Sequence, residues 1–568
     1  MFISLAIFLI FTTYSGYLLH IVNKCSLKFL SFLFILLSIV LFCCCNNFVG
    51  ILTIFRKIPF SILSTDNLFL SCTFFIIFIL LNIFLLNSYK NWVNNFAYLV
   101  IYFFLSLATI NATTLLGFVL CFELSGILVF VLVLGEKNIN AEKSAMHYLI
   151  VHLTIAGLIL ATTSIMQDAY INTNLRSLVL SDIKTSKAPG IILFFGILFS
   201  TAAFPISAWI IDAYSVLEYG SMILIASFST KACLYVLYKL FHSLWFLQII
   251  GFCTAWYGFL YSMLSRNMKK SALYAMIAQI GLLIIEIGMS SGTEAENRIF
   301  SIHILSSLSY QMIIFLASWY CSKENIKHGN YTALWAICLI IGLCSFASLP
   351  PTLGFYIKTT FYSKELSLQN NEYYLSNYLM QTLSIASIAF VFHYFSLFTV
   401  HFNRIFIRPK KYTDQMLPLI VMVILSVMCL PPFKMLNLLS DGMISWKMVF
   451  DIGLSKLVFK YTLFAILAFL LHKFVNFFVT RIECKDFPDT NWLYLELPKT
   501  VFSSIISLIL DLYYIAKDII KNLFKFFSRH YLSVHARLVM QRIQNLEFTL
   551  FIAVLFINIY IIISLLRG

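Results

Sequence analysis

The stretch PGIILFFGILFSTAAFPISAWIIDAYSVL, residues 189–217, decides the fold class of this chain. It is almost wholly apolar and exceeds the roughly 20 residues that an α-helix needs to cross the hydrocarbon layer of a membrane. Pro205 lies inside it, and a proline removes a helix donor and clashes with the preceding turn. We therefore predict a transmembrane helix that is broken near Pro205, with its freed backbone groups facing protein or water.

A second long apolar run, residues 331–367, is interrupted in the same way by Pro350 and Pro351. When the apolar runs are counted, each broken helix is the fourth of five, in residues 94–241 and in residues 244–400. Because five is odd, two such units would be inverted relative to each other in the membrane. Broken helices at matching positions of inverted repeats are typical of ion pathways, although two unrelated proline kinks remain an alternative.

The composition favours a membrane as the solvent of this chain. Of the 568 residues, 61% are hydrophobic and 11% are charged, whereas soluble domains are about half apolar and about a quarter charged. The net charge of +15 does not indicate nucleic-acid binding, because Lys and Arg lie in short gaps between apolar runs. The thirteen cysteines contain no CxxC pair, so neither a disulfide framework nor a metal site is predicted.

We predict an all-α integral membrane protein with about sixteen transmembrane helices. The predicted spans are each an apolar run long enough to cross the membrane, and they lie at 2–22, 27–46, 68–88, 94–112, 113–135, 144–166, 189–217, 218–241, 244–264, 271–290, 298–320, 331–367, 375–400, 416–434, 456–478 and 546–566. The first span lacks the basic segment and cleavage site of a signal peptide, so we expect it to be a retained helix.

This pattern divides the chain into four segments. They are the N-terminal helices at 1–93, the first five-helix repeat at 94–241, the second at 244–400, and the C-terminal helices at 401–568. Near residues 498–529 apolar side chains are mixed with charged ones. This mixture predicts a lateral amphipathic helix along the membrane surface, or else a solvated linker helix.

Ionisable side chains inside apolar spans are costly and usually face water or a partner, so they are candidates for an ion path. Glu123 lies mid-span in LCFELSG, Lys231 lies mid-span in STKACLYVLYK, and Lys358 follows the second proline break. His303 lies in span 298–320, and a histidine can relay protons near neutral pH. The alternatives are a hydrogen-bonded structural role for Glu123, a packing role for His303, and an ammonium group that reaches the membrane surface for Lys358.

Two further ionisable residues are weaker candidates. Glu286, near the end of span 271–290, fits either the path or a loop, and His393 fits packing better than proton relay. The sequence contains no glycine-rich nucleotide loop, no nucleophile arrangement and no metal-ligand cluster. We therefore expect no metal, no cofactor and no bond chemistry from this chain itself.

Five short motifs occur in one order between residues 95 and 400. They are FELSG at 122–126, AAFPISAWIIDAY at 202–214, STKACLYVLYK at 229–239, SRNMKKSALYAMIAQIG at 265–281 and LPPTLGFYIK at 349–358. In that order they are similar to a conserved acidic site, FPLHxWLPDA, TKVGVYALIR, DLKRLLAYSSISQIG and LPPLSGFxxK. This set resembles the antiporter-like, proton-translocating membrane subunits shared by respiratory complex I and the Mrp-type sodium/proton antiporters.

The resemblance implies two inverted five-helix repeats and a proton path that links an acidic residue to lysines through histidines and water. Carried over by position, it implies the following members: Glu123 as the acidic residue, Lys231 as the lysine of the unbroken helix, His303 as the histidine bridge, and Lys358 as the lysine of the second broken helix.

The chain departs from the family pattern at positions that matter for conduction. Ser200 stands where a lysine that normally partners the acidic residue is expected, and Gln311 stands where the lysine of span 298–320 is expected. Ser307 occupies a position where a second histidine often stands, and LEYGS at 217–221 replaces a proline-rich stretch. A degenerate, non-conducting structural subunit is therefore an alternative.

The resemblance leaves the branch of the family open. Lys231 in its TKxxxY context, with DTNWLYLEL at 489–497, favours the D-type chain of the Mrp antiporters, whereas an amphipathic helix before a final span favours a complex I subunit. Either branch implies partner membrane subunits, protons with Na+ as a candidate second ion, and a lipid bilayer, but no nucleic acid. The expected location is the cell inner membrane or an organellar inner membrane.

Overall fold

The computed structural model describes residues 92–111, 115–136, 140–167, 187–322, 332–358, 372–404, 416–430 and 454–481. All of them lie in one of the two units into which the chain divides, Met1–Lys485, and the other unit, Asp486–Gly568, lies outside the described residues. The described residues contain helices, turns and bends but no strand, which confirms the predicted all-α class.

Thirteen helices have both ends within the described residues. They are α1 Trp92–Asn111, α2 Leu115–Leu134, α3 Ala141–Gln167, α4 Lys187–Ser200, α5 Ala208–Val216, α6 Tyr219–Phe241, α7 Trp245–Leu264, α8 Met268–Met289, α9 Glu294–Ser322, α10 Thr332–Phe346, α11 Glu372–Arg404, α12 Met416–Met428 and α13 Leu454–Arg481. A further helical segment covers residues 353–358.

Six of the described helices, α3, α6, α7, α8, α9 and α11, contain segments long and apolar enough to cross a membrane. The chain is a multi-pass membrane protein, as its composition predicts. The predicted spans at 2–22, 27–46, 68–88 and 546–566, and the lateral helix near 498–529, lie outside the described residues. The count of sixteen helices and the four-segment division therefore stay predictions.

The first predicted break lies between α4 and α5. The last turn of α4 tightens, since the N–H groups of Thr201 and Ala202 donate to carbonyls three residues back, at 3.1 and 3.0 Å. Beyond it, the backbone N–H of Phe204 donates to the Thr254 hydroxyl of α7 at 3.0 Å. A side chain of a neighbouring helix thus replaces a helical acceptor that the break beside Pro205 removes.

The second predicted break lies between α10 and the helical segment 353–358. Here the backbone N–H of Leu353 donates to the carbonyl oxygen of Cys429, just after α12, at 2.9 Å. Both breaks place a residue of positive φ three positions before a proline. These residues are Ala202, with φ 62° before Pro205, and Ser348, with φ 54° before Pro351. The two breaks therefore share a backbone conformation, as a repeat predicts, while the inverted relation of the repeats stays a prediction.

Helices α6, α8 and α9 form the interior of the described bundle, where nearly all of their side chains are buried. A helix that is apolar all round is expected in such a place. Close contact between α7 and α8 depends on small residues: a Cβ added at Gly281 would lie 2.6 Å from the Gly251 carbonyl oxygen. Small residues at such crossings let two helix backbones approach closely in a membrane.

Lys269, at the start of α8, holds the connection between α5 and α6. Its ammonium group donates to the carbonyl oxygen of Ser215 at 2.7 Å and to that of Leu217, and it lies 4.9 Å from the centre of the Tyr219 ring. Glu136, in the loop after α2, accepts the backbone N–H of Glu218 at 2.7 Å. Burial raises the pKa of the Glu136 carboxyl, while the Glu218 N–H and the Lys269 charge act in the opposite direction.

Replacing Lys269 with Met should lower the free energy of unfolding by about 2 kcal/mol, because two carbonyls lose a charged donor. Lys270 is exposed and serves as the matched control, so Lys270→Met should change stability by no more than about 0.5 kcal/mol. Thermal unfolding in detergent checks both variants. Equal melting temperatures for the two would contradict this assignment.

Candidate functional site

Glu123, in the middle of α2, faces a histidine of the next helix. Its Oε2 atom lies 4.0 Å from Nε2 of His152 in α3. The same ring nitrogen lies 3.2 Å from the carbonyl oxygen of Phe122. Gly126, one helical turn after Glu123, makes this approach possible, because a Cβ at that position would overlap the imidazole. We call Glu123 and His152 the Glu123 pair.

A cavity of about 20 Å³ adjoins the Glu123 pair, which is enough space for a water molecule. Its lining includes hydroxyl groups from three helices, namely those of Ser106, Thr109, Ser125 and Ser200. These hydroxyls supply the several polar partners that a buried water needs. Ala232 and Cys233 also line the cavity, so it reaches α6, the helix that carries Lys231.

Lys231 lies in the centre of α6, where its side chain is 1% exposed. Its ammonium group donates to Oε1 of Gln311 in α9, and it lies 3.4 Å from the carbonyl oxygen of Ala226. We call Lys231 and Gln311 the Lys231 pair. Gln311 stands where the family resemblance implies a lysine, so this position supplies an oxygen acceptor instead of a second cation.

A second glutamine forms hydrogen bonds with the neighbour of Gln311 and with α10. The Tyr310 hydroxyl, next to Gln311 in sequence, donates to Oε1 of Gln279 in α8 at 2.7 Å. The amide of Gln279 then donates to the carbonyl oxygen of Phe346 at 3.4 Å. Because Phe346 ends α10, these bonds reach the second helix break.

Glu286 of α8 belongs to the third group of ionisable side chains. Its Oε2 atom lies 2.6 Å from Nδ1 of His303 in α9, and both side chains are buried. The ammonium group of Lys358 donates to the Ser384 hydroxyl of α11 at 2.8 Å and interacts electrostatically with the Glu286 carboxylate. We call Glu286, His303 and Lys358 the Glu286 group.

The structure therefore places the four predicted path residues in three separate groups, and not in mutual contact. Among the described residues, no side-chain hydrogen bond joins any two of Glu123, Lys231, His303 and Lys358 directly. The three groups contain carboxylates, imidazoles and ammonium groups, and each of these can take up and release a proton. Water or a side-chain movement must bridge the gaps between the three groups.

His393, a weaker candidate, lies elsewhere. Its Nε2 atom is 3.1 Å from the carbonyl oxygen of Ser265, and its ring lies 5.6 Å from that of His472 in α13. These contacts suit the packing interpretation better than a place in one of these groups.

His152 is not among the candidates predicted from the sequence, and Glu286 is undecided among them. Both carry the signal that selected His303, an ionisable side chain within an apolar span. His152 lies in the middle of the span 144–166, which the same criterion covers. What the sequence does not contain is the pairing of each residue with a side chain from another helix.

Comparison with known proteins identifies the family of this chain. Residues 112–406, slightly more than half of the chain, match the family described as NADH:quinone oxidoreductase/Mrp antiporter, TM. The chain belongs to this family. The matched region contains Glu123, His152, the Lys231 pair, the Glu286 group and both helix breaks.

Curated relatives are similar over part of their length. NADH-quinone oxidoreductase subunit N 1 of Thermodesulfovibrio yellowstonii is 26% identical over 267 residues, which cover 44% of this chain and 58% of the relative. Chloroplastic NAD(P)H-quinone oxidoreductase subunit 5 of Guizotia abyssinica is 22% identical over 192 residues, which cover 30% of this chain and 25% of the relative. The chain thus spans less than two thirds of the length of either relative.

The fold also matches a solved structure. A chain of the membrane-bound sulfane sulfur reductase, an archaeal respiratory membrane complex, aligns with a TM-score of 0.59 and 16% identity. The alignment covers 77% of this chain and 96% of that chain. At this identity the likeness shows a shared fold.

The Lys231 pair predicts an asymmetric effect of substitution on stability. Gln311→Leu should lower the free energy of unfolding by about 1–3 kcal/mol, because the buried ammonium loses its side-chain acceptor. Adding Lys231→Met should restore most of that stability, since replacing both partners with apolar groups of similar shape removes the unpaired charge.

Thermal unfolding of the two single variants and the double variant in detergent measures this coupling. Additive effects of Gln311→Leu and Lys231→Met would contradict a direct interaction between the two side chains.

Proposed function

We propose that this chain is a proton-translocating member of a multisubunit cation/proton antiporter, of the Mrp D type. The observation that carries the proposal is the presence of three groups of ionisable side chains within the apolar bundle, namely the Glu123 pair, the Lys231 pair and the Glu286 group. Ionisable groups at membrane depth are costly, and they mark ion and proton paths by default. A purely structural bundle of apolar helices has no use for so many of them.

In this proposal a proton moves between the Glu123 pair and Lys231 through the cavity that reaches Ala232 and Cys233. It then passes from the Lys231 pair to the Glu286 group, with water between the helices as carrier. Because charges in a low-dielectric interior interact over several ångströms, loading one group changes the proton affinity of the next. The groups therefore act as a coupled series.

The proposal includes partners and a location. Family members such as the subunit N and subunit 5 relatives are named as parts of larger oxidoreductases. We therefore expect other membrane subunits beside this chain, with protons and Na+ as the candidate ions. The expected location is the cell inner membrane or the inner membrane of an organelle.

A second candidate is a proton-pumping membrane subunit of NADH-quinone oxidoreductase. Its support is that the curated relatives at 26% and 22% identity carry that name. The TKxxxY context of Lys231 is what favours the Mrp type. The two candidates share the proton path and differ in what drives it.

A third candidate is a non-conducting structural subunit. Its support is the pair of departures from the family pattern, Ser200 and Gln311. Under this candidate the ionisable groups would be remnants, and returning lysines to these positions would leave transport unchanged.

Proton flux into proteoliposomes that contain the whole complex tests conduction. Glu123→Gln and Lys231→Ala should each lower the flux at least about tenfold, because each removes a group that loads the proton. Exposed residues of the first turn of α3 supply matched controls, Glu142→Gln and Lys143→Ala, which should leave the flux unchanged. Unchanged flux in both path variants would favour the structural candidate.

Isolation of the native complex separates the first two candidates. For the Mrp type we expect copurification with other membrane subunits and flux driven by an imposed Na+ gradient. Copurified flavin and iron–sulfur subunits, together with flux that depends on NADH oxidation, would replace this assignment by the oxidoreductase candidate.

A further inference from the structure

The most informative unassigned feature is the imidazole of His152. We propose that His152 is the proton-exchanging partner of Glu123 and connects it to the water cavity beside α6. This inference rests on the proposed function, since it names a further residue of the same path. It also explains how the path continues although position 200 carries serine.

The contact geometry supports exchange between the two groups. The 4.0 Å between Glu123 Oε2 and His152 Nε2 can be closed by a small side-chain rotation or by one water. His152 is 4% exposed, so its ring meets protein and the cavity rather than bulk solvent. The Phe122 carbonyl, 3.2 Å from Nε2, accepts the ring N–H when this nitrogen is protonated.

Aromatic packing fixes the orientation of the ring. The Phe122 ring stacks on the imidazole at 4.3 Å between centroids, and the Tyr148 ring stacks at 5.6 Å. Because Phe122 of α2 and Tyr148 of α3 stack on the faces of the imidazole, its nitrogen-bearing edge is left to meet Glu123 and the cavity. Gly126 has no side chain, and the imidazole occupies the space that a Cβ at this position would take.

The surroundings of His152 contain few other groups that titrate near neutral pH. Besides Glu123 of α2, the titratable groups that share the cavity with His152 are Tyr102 of α1, Tyr148 of α3, Tyr214 of α5 and Cys233 of α6. Tyrosine and cysteine release protons only at higher pH in ordinary surroundings. Glu123 is therefore the group with which His152 exchanges a proton in the physiological range.

The transfer step is balanced without any further reagent. The Nε2–H bond of the His152 imidazolium breaks and an O–H bond forms on the Glu123 carboxylate, which leaves a neutral carboxyl and an imidazole that keeps its proton on Nδ1. Nε2 then takes up a proton that reaches it through water in the cavity, whose lining includes Ser200 and Cys233. Cys233 belongs to α6, so this water lies against the helix that carries Lys231.

Infrared difference spectroscopy of the whole complex in membranes tests the exchange independently of transport. The Glu123 carboxyl band is identified by its loss in Glu123→Gln, and the His152 ring band by its loss in His152→Gln. We expect each substitution to shift the pH midpoint of the other residue's band by at least about one unit, as for interacting sites. His147 lies on the same helix as His152, and its Nδ1 atom is 3.9 Å from Oδ2 of Asp212 in α5. His147→Gln is therefore the matched control.

A second variant keeps the histidine in the chain. Gly126→Ala should push the imidazole away from Glu123 and shift the midpoint of the Glu123 band, whereas Gly135→Ala, at an exposed position of the same segment, should not. If neither His152→Gln nor Gly126→Ala moves the Glu123 midpoint, the proposal is overturned.

Flux measurements supply a functional readout. His152→Gln should lower proton flux at least about tenfold, and adding Ser200→Lys should restore it by placing a cation at the cavity. Unchanged flux in His152→Gln, in a complex whose wild type conducts, would overturn the proposal. A wild-type complex without flux would defeat the proposed function, while the infrared coupling would still decide whether Glu123 and His152 exchange protons.

Discussion

The bond between the Lys231 ammonium and the Gln311 amide oxygen is the interaction on which the interior of this bundle depends. An ammonium in a low-dielectric interior loses its hydration, and only close acceptors offset that loss. The acceptors here are the Gln311 amide and the Ala226 carbonyl. Since α6 belongs to the first predicted repeat and α9 to the second, the same bond joins the two repeats at their centre.

The helix breaks obey the same constraint on a smaller scale. Within the hydrocarbon layer each freed N–H needs an acceptor from protein or water. Phe204 finds the Thr254 hydroxyl, and Leu353 finds the Cys429 carbonyl. Each acceptor comes from a segment that follows the break at a distance in sequence. The breaks are thus stable only inside the assembled bundle.

These features show which parts of the fold and site can be predicted from the sequence. Proline placement and apolar run length predict the breaks at Pro205 and Pro351, because both effects are local. The predicted span 244–264 differs from α7 by one residue at its start for the same reason. The ionisable candidates could also be predicted, because a charged residue inside an apolar run is evident from the sequence whichever way its side chain points in the fold.

Pairings between helices could not be predicted in this way. Helices α8 and α9 are buried nearly all round, and their polar residues are not confined to one face. The sequence therefore does not indicate which side of each helix meets which neighbour. The contacts of His152 with Glu123, of Gln311 with Lys231 and of Glu286 with His303 all depend on that rotation. For this reason Gln311, counted from the resemblance as a lost lysine, proves to be an acceptor for a retained one.

The departure from the family pattern at position 311 alters the electrostatics of Lys231. A lysine at this position would place a like charge beside the Lys231 ammonium, and the two charges would repel each other. Glutamine removes that repulsion and adds an acceptor that holds the ammonium in place. In the proposed path, release from Lys231 must therefore be driven by the charge state of the Glu123 pair and the Glu286 group. The two ends of such a path are coupled only if the charges of Glu123 and Glu286, and not those of neighbouring lysines, change the proton affinity of Lys231.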